Sequence, residues 1–269
     1  MSKELEKSIE NTVSRAVTPY VESDGYKKAC EELGSATQVL ATLVNNSLLP
    51  IAAINFGFEK ARIYFSERFE SDIGEKINKI DKRKIIEPKA SVVGPVLQGL
   101  AFSHEENELK EMYLNLLASA MNMDKTQSVH PSFVEIIKQL TPYEAKELKY
   151  LLNETNSPIV QLTFILKDRG FRIFKKHILD LVDEETQKPV IENKYPTYIE
   201  NWIRLGLIKV DYTVYLVNDD VYSYIKDRPE YKQAEEMVRN NDDFKRLEIE
   251  KGKIEITSYG KEFYRICVS

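Results

Sequence analysis

The sequence predicts a mainly α protein: a helical N-terminal and central domain, then an α+β winged-helix-like C-terminal domain. Three observations carry this reading. Leu109, Met112, Tyr113, Leu116, Leu117, Ala120 and Met121 recur at helical spacing, which places them on one buried helix face. Capping and proline signals mark repeated helix starts around them. After Leu140 the pattern changes. A helix ending in Arg204-Leu205-Gly206 precedes two strand-like stretches and a closing helix, the element order of a winged helix-turn-helix.

Composition bounds the class. A chain of 269 residues with 42% hydrophobic and 30% charged residues is an ordinary globular sequence with room for two domains. The expected division is a flexible segment over 1–29, a helical domain over 30–140, and the winged-helix-like domain over 141–269. Net charge is −5. Residues 1–140 hold 17 basic and 20 acidic side chains and residues 141–269 hold 21 and 23, so neither half has the bulk positive charge of a non-specific nucleic-acid binder. Cys30 and Cys267 stand far apart, which suits a reducing compartment and two packed thiols. The first residues, MSKELEKSIENTVSRAV, lack an apolar core and are not a secretory signal. The expected location is cytoplasmic, with peripheral contact at the inner membrane left open.

From Leu33 to Phe58 no residue is charged. Asn45, Asn46, Ser47, Pro50 and Asn55 interrupt this run, so it reads as two buried or oligomer-forming helices rather than a span. Leu40, Leu43, Val44, Leu48, Leu49, Ile51 and Ile54 are its candidate oligomer or membrane residues. Helix continues over Glu59–Ile80, and Asp81–Lys84 is a charged turn. Pro95 suits the first turn of a helix over 96–103. Ser103 and Glu106 have capping-box spacing ahead of the strongly periodic helix. Ala118, Ser119 and Ala120 at its end would let a neighbour approach closely. His130-Pro131 leads into a helix, where an imidazole nitrogen can accept a backbone N–H. Thr141, Pro142 and Glu144 form another helix start.

The strings VGPVLQGLAFSHEENELKEMYLNLLASAMN and VHPSFVEIIKQLTPYEAKEL resemble the abortive-infection alpha family of bacterial proteins. The resemblance spans about residues 30–269 and is most specific over 92–148. Its landmarks are Gly94, Pro95, His130, Pro131 and Phe133. It implies a role in defence against phage and supplies no catalytic motif.

In the second half, residues 158–166 are apolar and β-branched, either a buried helix or a strand. Lys167, Arg169, Arg172, Lys175 and Lys176 form the densest basic cluster. On a helix, Arg169, Arg172 and Lys176 would share one face and form a candidate phosphate-binding surface. Ile199, Trp202, Ile203 and Leu205 are expected to face inward, with Gly206 as a helix stop. Asn201 and Arg204 would then be the exposed base-reading residues of a winged helix. Residues 208–217 read as a strand, 219–246 as a charged helical insertion, and 251–257 as a second strand.

No phosphate loop, nucleophile elbow or metal-ligand spacing occurs. No catalytic residue, metal or cofactor is expected. The reading is a non-enzymatic phage-defence protein acting through a protein partner, a homo-oligomer or membrane contact. The alternative is a winged-helix transcriptional regulator that binds nucleic acid through its C-terminal domain.

Overall fold

The structure, a computed structural model, describes residues 55–269 except 154, 155, 184, 187 and 192. The segment over 1–29 and the candidate residues Leu40, Leu43, Val44, Leu48, Leu49, Ile51 and Ile54 lie outside the described residues, as does Cys30. The chain forms two compact units. One runs to Lys149 and takes in Glu262–Ser269, and the other is Tyr150–Lys261.

The first unit is helical. Its elements are α1 (Asn55–Glu67), α2 (Phe69–Ile77), a 3-10 turn (Lys82–Lys84), α3 (Ala90–Ser103), α4 (Asn107–Ala120), α5 (Ser132–Lys138) and α6 (Pro142–Leu151), whose last turn enters the second unit. The α4 periodicity is realised: Leu109, Met112, Tyr113, Leu116, Leu117, Ala120 and Met121 are all buried. The small residues at its end admit the C-terminal π turn, Tyr264–Val268. There Ser119 Oγ donates to the Ile266 carbonyl at 3.1 Å, and Asn115 Nδ2 donates to the Cys267 carbonyl at 3.1 Å. Cys267 is fully buried, and burial pushes its thiol up.

Two helix starts differ from expectation. Pro95 lies inside α3, which begins at Ala90. Ser103 ends α3, and α4 begins at Asn107 behind Glu106 with no side-chain cap. The apolar run of α3 extends the helix through both positions, since burying Val92, Val93, Val96, Leu97 and Leu100 outweighs one lost backbone bond.

The Thr141 cap forms as expected. Glu144 N–H donates to Thr141 Oγ1 at 3.2 Å, and Thr141 N–H donates to the Glu144 carboxylate at 2.9 Å. This reciprocal pair satisfies two otherwise orphaned donors. Thr141→Ala is expected to lower stability by about 1 kcal/mol, read from urea unfolding.

The second unit makes the class mixed α and β rather than mainly α. Its elements are β1 (Asn156–Leu166), β2 (Phe171–Ile178), α7 (Tyr195–Arg204), β3 (Ile208–Asp211), a 3-10 segment (Asp219–Asp227), α8 (Pro229–Asn240), β4 (Phe244–Ile256) and α9 (Ser258–Phe263), which leads back into the first unit. The sheet is antiparallel with order β2-β1-β4-β3. The expected sequence of helix, two paired strands and closing helix is present, but β1 and β2 extend the pair to four strands. A winged helix is not what this sheet by itself establishes. The helical insertion is present, although β4 begins at Phe244, inside the range expected to be helical.

Central β1 is buried on both faces. Val160, Leu162 and Phe164 pack with Ile178, Tyr222, Ile225, Ala234 and Phe244, while Ile159, Gln161 and Thr163 are buried on the opposite pleat. Buried Arg228 at the start of α8 donates to the Leu181 and Val190 carbonyls, each at 2.7 Å, and to both Glu230 carboxylate oxygens.

Candidate functional site

The basic cluster belongs to a hairpin and not to a helix face. Arg169 and Gly170 turn the chain with φ of 79° and 102°, and Arg172, Lys175 and Lys176 follow on β2. Pairing between neighbouring strands decides this. Phe171, Ile173 and the apolar residues of β1 gain a sheet partner that no single helix offers. Three steps along β1, from Thr163 back to Val160, match five along β2, from Ile173 to Ile178, so β2 carries two extra residues. Such bulges break the simple alternation, and no helical face unites Arg169, Arg172 and Lys176. Arg172 instead lies over the Phe244 ring at 5.0 Å, and Phe244 stacks on Phe164 at 4.3 Å. That guanidinium caps an aromatic core.

On α7, Asn201 and Arg204 meet each other. Arg204 Nη2 donates to Asn201 Oδ1 at 2.7 Å. The inward face holds buried Tyr195, Ile199 and Trp202, whereas Ile203, expected inside, is 37% exposed. Gly206 ends the helix with φ of 74°, as expected.

The sequence reading assigned His177 no role. It sits in one of the β2 bulges at φ of 59°. Its backbone N–H donates to Tyr212 Oη at 3.1 Å, and its Nδ1 lies 3.1 Å from the same oxygen. Burial holds the imidazole below its ordinary range, although Glu200 opposes this, and burial pushes Tyr212 up to about 12. Both groups are therefore neutral at pH 7. They form a bulge lock, and no signal local to either residue could have paired positions so far apart in the chain.

The family landmarks have structural roles. His130 Nδ1 accepts the Ser132 backbone N–H at 3.1 Å, the interaction expected of it. Phe133 is buried and meets Phe263 edge-on at 5.5 Å. Gly94 and Pro95 lie within α3.

A cavity of about 360 Å³ opens in the helical unit. Lys76 and Lys79 come from the end of α2 and the turn after it, Glu111 and Asn115 from α4, Asn122 and Lys125 from the following loop, and Lys149 from α6. Val268 and Ser269 close another side. Lys76 is paired with Glu111 at 2.6 Å.

A family model described as abortive infection alpha matches residues 61–267, a span that takes in the sheet and most of the described helical unit and π turn. The chain belongs to the abortive infection alpha family. Comparison with curated proteins returned no match. A solved structure described as the uncharacterized protein from the hydrocarbon-degrading marine bacterium Alcanivorax borkumensis SK2 is similar over 55% of this chain and 96% of that one. It shares 13% identity with a TM-score of 0.32, a likeness too slight to define the fold. Membership of the abortive infection alpha family therefore rests on the sequence model. Among the described residues, no helix is long and apolar enough to cross a membrane.

Proposed function

We propose that the chain is a phage-defence protein that acts by contact with a protein partner and not by catalysis. Family membership supports the defence role. The observation that carries the contact mode is the outer strand β2. It lies at one edge of the sheet, with Phe171 66% exposed and Ile173 37% exposed. An outer strand offers unpaired backbone donors and acceptors to an extended segment of another protein, and exposed aromatic and β-branched side chains add apolar contact. The far end of β2 is less open: two bulges interrupt it, α7 packs against it, and Lys175 reaches Asn193 at 3.2 Å. The partner-binding half is therefore Phe171–Ile173.

The winged-helix, DNA-reading alternative has no comparable support. Asn201 and Arg204 satisfy each other, and Arg172 covers Phe244. His177 and Tyr212 are engaged with each other at the β2 bulge.

Phage plating tests the proposal. Cells carrying the wild-type chain are expected to plate fewer phage than cells lacking it, and Phe171→Asp with Ile173→Asp is expected to restore plating at unchanged protein abundance. Equal plating with and without the chain across a broad phage panel would remove the defence role. Full protection by the double variant would remove β2 as the contact.

A further inference from the structure

The cavity in the helical unit is lined by four lysines, Lys76, Lys79, Lys125 and Lys149, against one side-chain carboxylate, Glu111, with Val268 and Ser269 on a further wall. Of these lysines, only Lys76 has an ion-pair partner among the described residues, Glu111. Among the described residues no carboxylate lies within ion-pair distance of Lys79, Lys125 or Lys149. The nearby acids are engaged elsewhere: Asp72 with Lys110 at 3.3 Å and Asp124 with Lys84 at 2.5 Å. Three lysines without an ion-pair partner among the described residues therefore line one concavity in a chain whose net charge is −5. Solvated lysines ordinarily spread over a surface; convergence on a concave wall raises the local potential and concentrates anions.

Hydrogen-bond donors accompany the charge. Asn122 Oδ1 accepts the Asp124 backbone N–H at 2.9 Å, which fixes the carboxamide and leaves its NH₂ group as a donor. Asn115 and Ser119 are committed to the π turn. That turn, Tyr264–Val268, supplies the neighbouring wall, and π turns of this kind recur at functional sites. The volume of about 360 Å³ lies near the lower end of the range for small-molecule pockets, about 300–1,000 Å³.

We propose that this cavity binds a small phosphate-bearing anion, held by Lys79, Lys125 and Lys149 with Asn122 as an additional donor. A phosphate group near pH 7 carries close to two negative charges and several strong acceptors, which matches three lysines better than a monoanion does. Because Lys76 is held by Glu111, that carboxylate acts as a brake on affinity. The site is built from residues of the helical unit alone and does not depend on the proposed partner contact.

Calorimetric titration of the full chain tests this with sodium phosphate, a nucleoside monophosphate, and sodium acetate, at constant low ionic strength. Phosphate and the nucleotide are expected to bind, and acetate is not. A tighter nucleotide identifies an organic phosphate as the ligand, and equal affinities identify phosphate itself. Lys79→Ala and Lys125→Ala are each expected to weaken binding roughly tenfold or more. Both side chains lack an ion-pair partner among the described residues, so their thermal unfolding should match that of the wild type. Glu111→Gln is expected to tighten binding, a result that general damage to the fold would not produce. Binding should also weaken below about pH 6 as the phosphate gains a proton. Absence of binding at millimolar phosphate and nucleotide overturns the proposal. So does affinity indifferent to all three substitutions, or binding of acetate as tight as phosphate.

Discussion

Arg228→Ala is expected to lower the stability of the sheet unit by about 3–5 kcal/mol. The Arg228 and Glu230 side chains are 2% and 7% exposed, with their charged ends 2.8 Å apart. The guanidinium also holds the Leu181 and Val190 carbonyls. Truncation leaves a buried carboxylate without its partner and removes a donor from each carbonyl, so the cost exceeds that of the lost packing. Urea unfolding followed by the fluorescence of Trp202, the single tryptophan and a buried residue of this unit, reads the effect. A second substitution sharpens the assignment. Arg228→Met with Glu230→Leu removes both charges and supplies apolar volume, and it should recover much of the loss. If the single and double variants are equally destabilised, the unpaired charge is not the cause.

Gly260→Ala is expected to cost about 3 kcal/mol, at the upper end for overpacking. A Cβ there would stand 2.1 Å from the Leu207 carbonyl oxygen and 2.9 Å from its carbon. Both atoms are backbone, and the segment is pinned because Thr257 Oγ1 donates to the Gly206 carbonyl at 2.6 Å. No rotamer change can relieve the clash, so α9 or the turn before β3 must shift. Gly74 provides the contrast. It lies within α2 and an added Cβ would meet nothing within 4 Å, so Gly74→Ala should stabilise by about 0.5–1 kcal/mol through helix propensity alone. Thermal unfolding of the two variants beside the wild type should move in opposite directions. Equal shifts would show that the contact at Gly260 is softer than its geometry.

Much of the helical unit was legible because helix formation is governed by neighbours three and four residues apart. The buried face of α4 and the Thr141–Glu144 cap follow directly from such spacings. Ala118, Ser119 and Ala120 signalled a close neighbour, although not that the neighbour would be the π turn near the end of the chain. The failures at Pro95 and Ser103 arose because a local proline or cap signal competes with burial of a longer apolar run.

Unit 2 was harder to read. Phe171, Ile173 and their lysine and arginine neighbours fit a helix face or a strand until β1 is present to pair with them, and the register that buries Phe164 opposite Arg172 is non-local. The same limit hid the His177–Tyr212 lock.

By itself the sequence determined the family, the periodic helices, the helix stop at Gly206 and the closing helix, because each depends on residues near one another in the chain. Only the tertiary structure decided that the basic cluster is a hairpin, that the described sheet has four strands, and that lysines from positions 76 to 149 line one cavity. Strand pairing and cavity walls join residues tens of positions apart, and no local pattern encodes which distant segments will pack together.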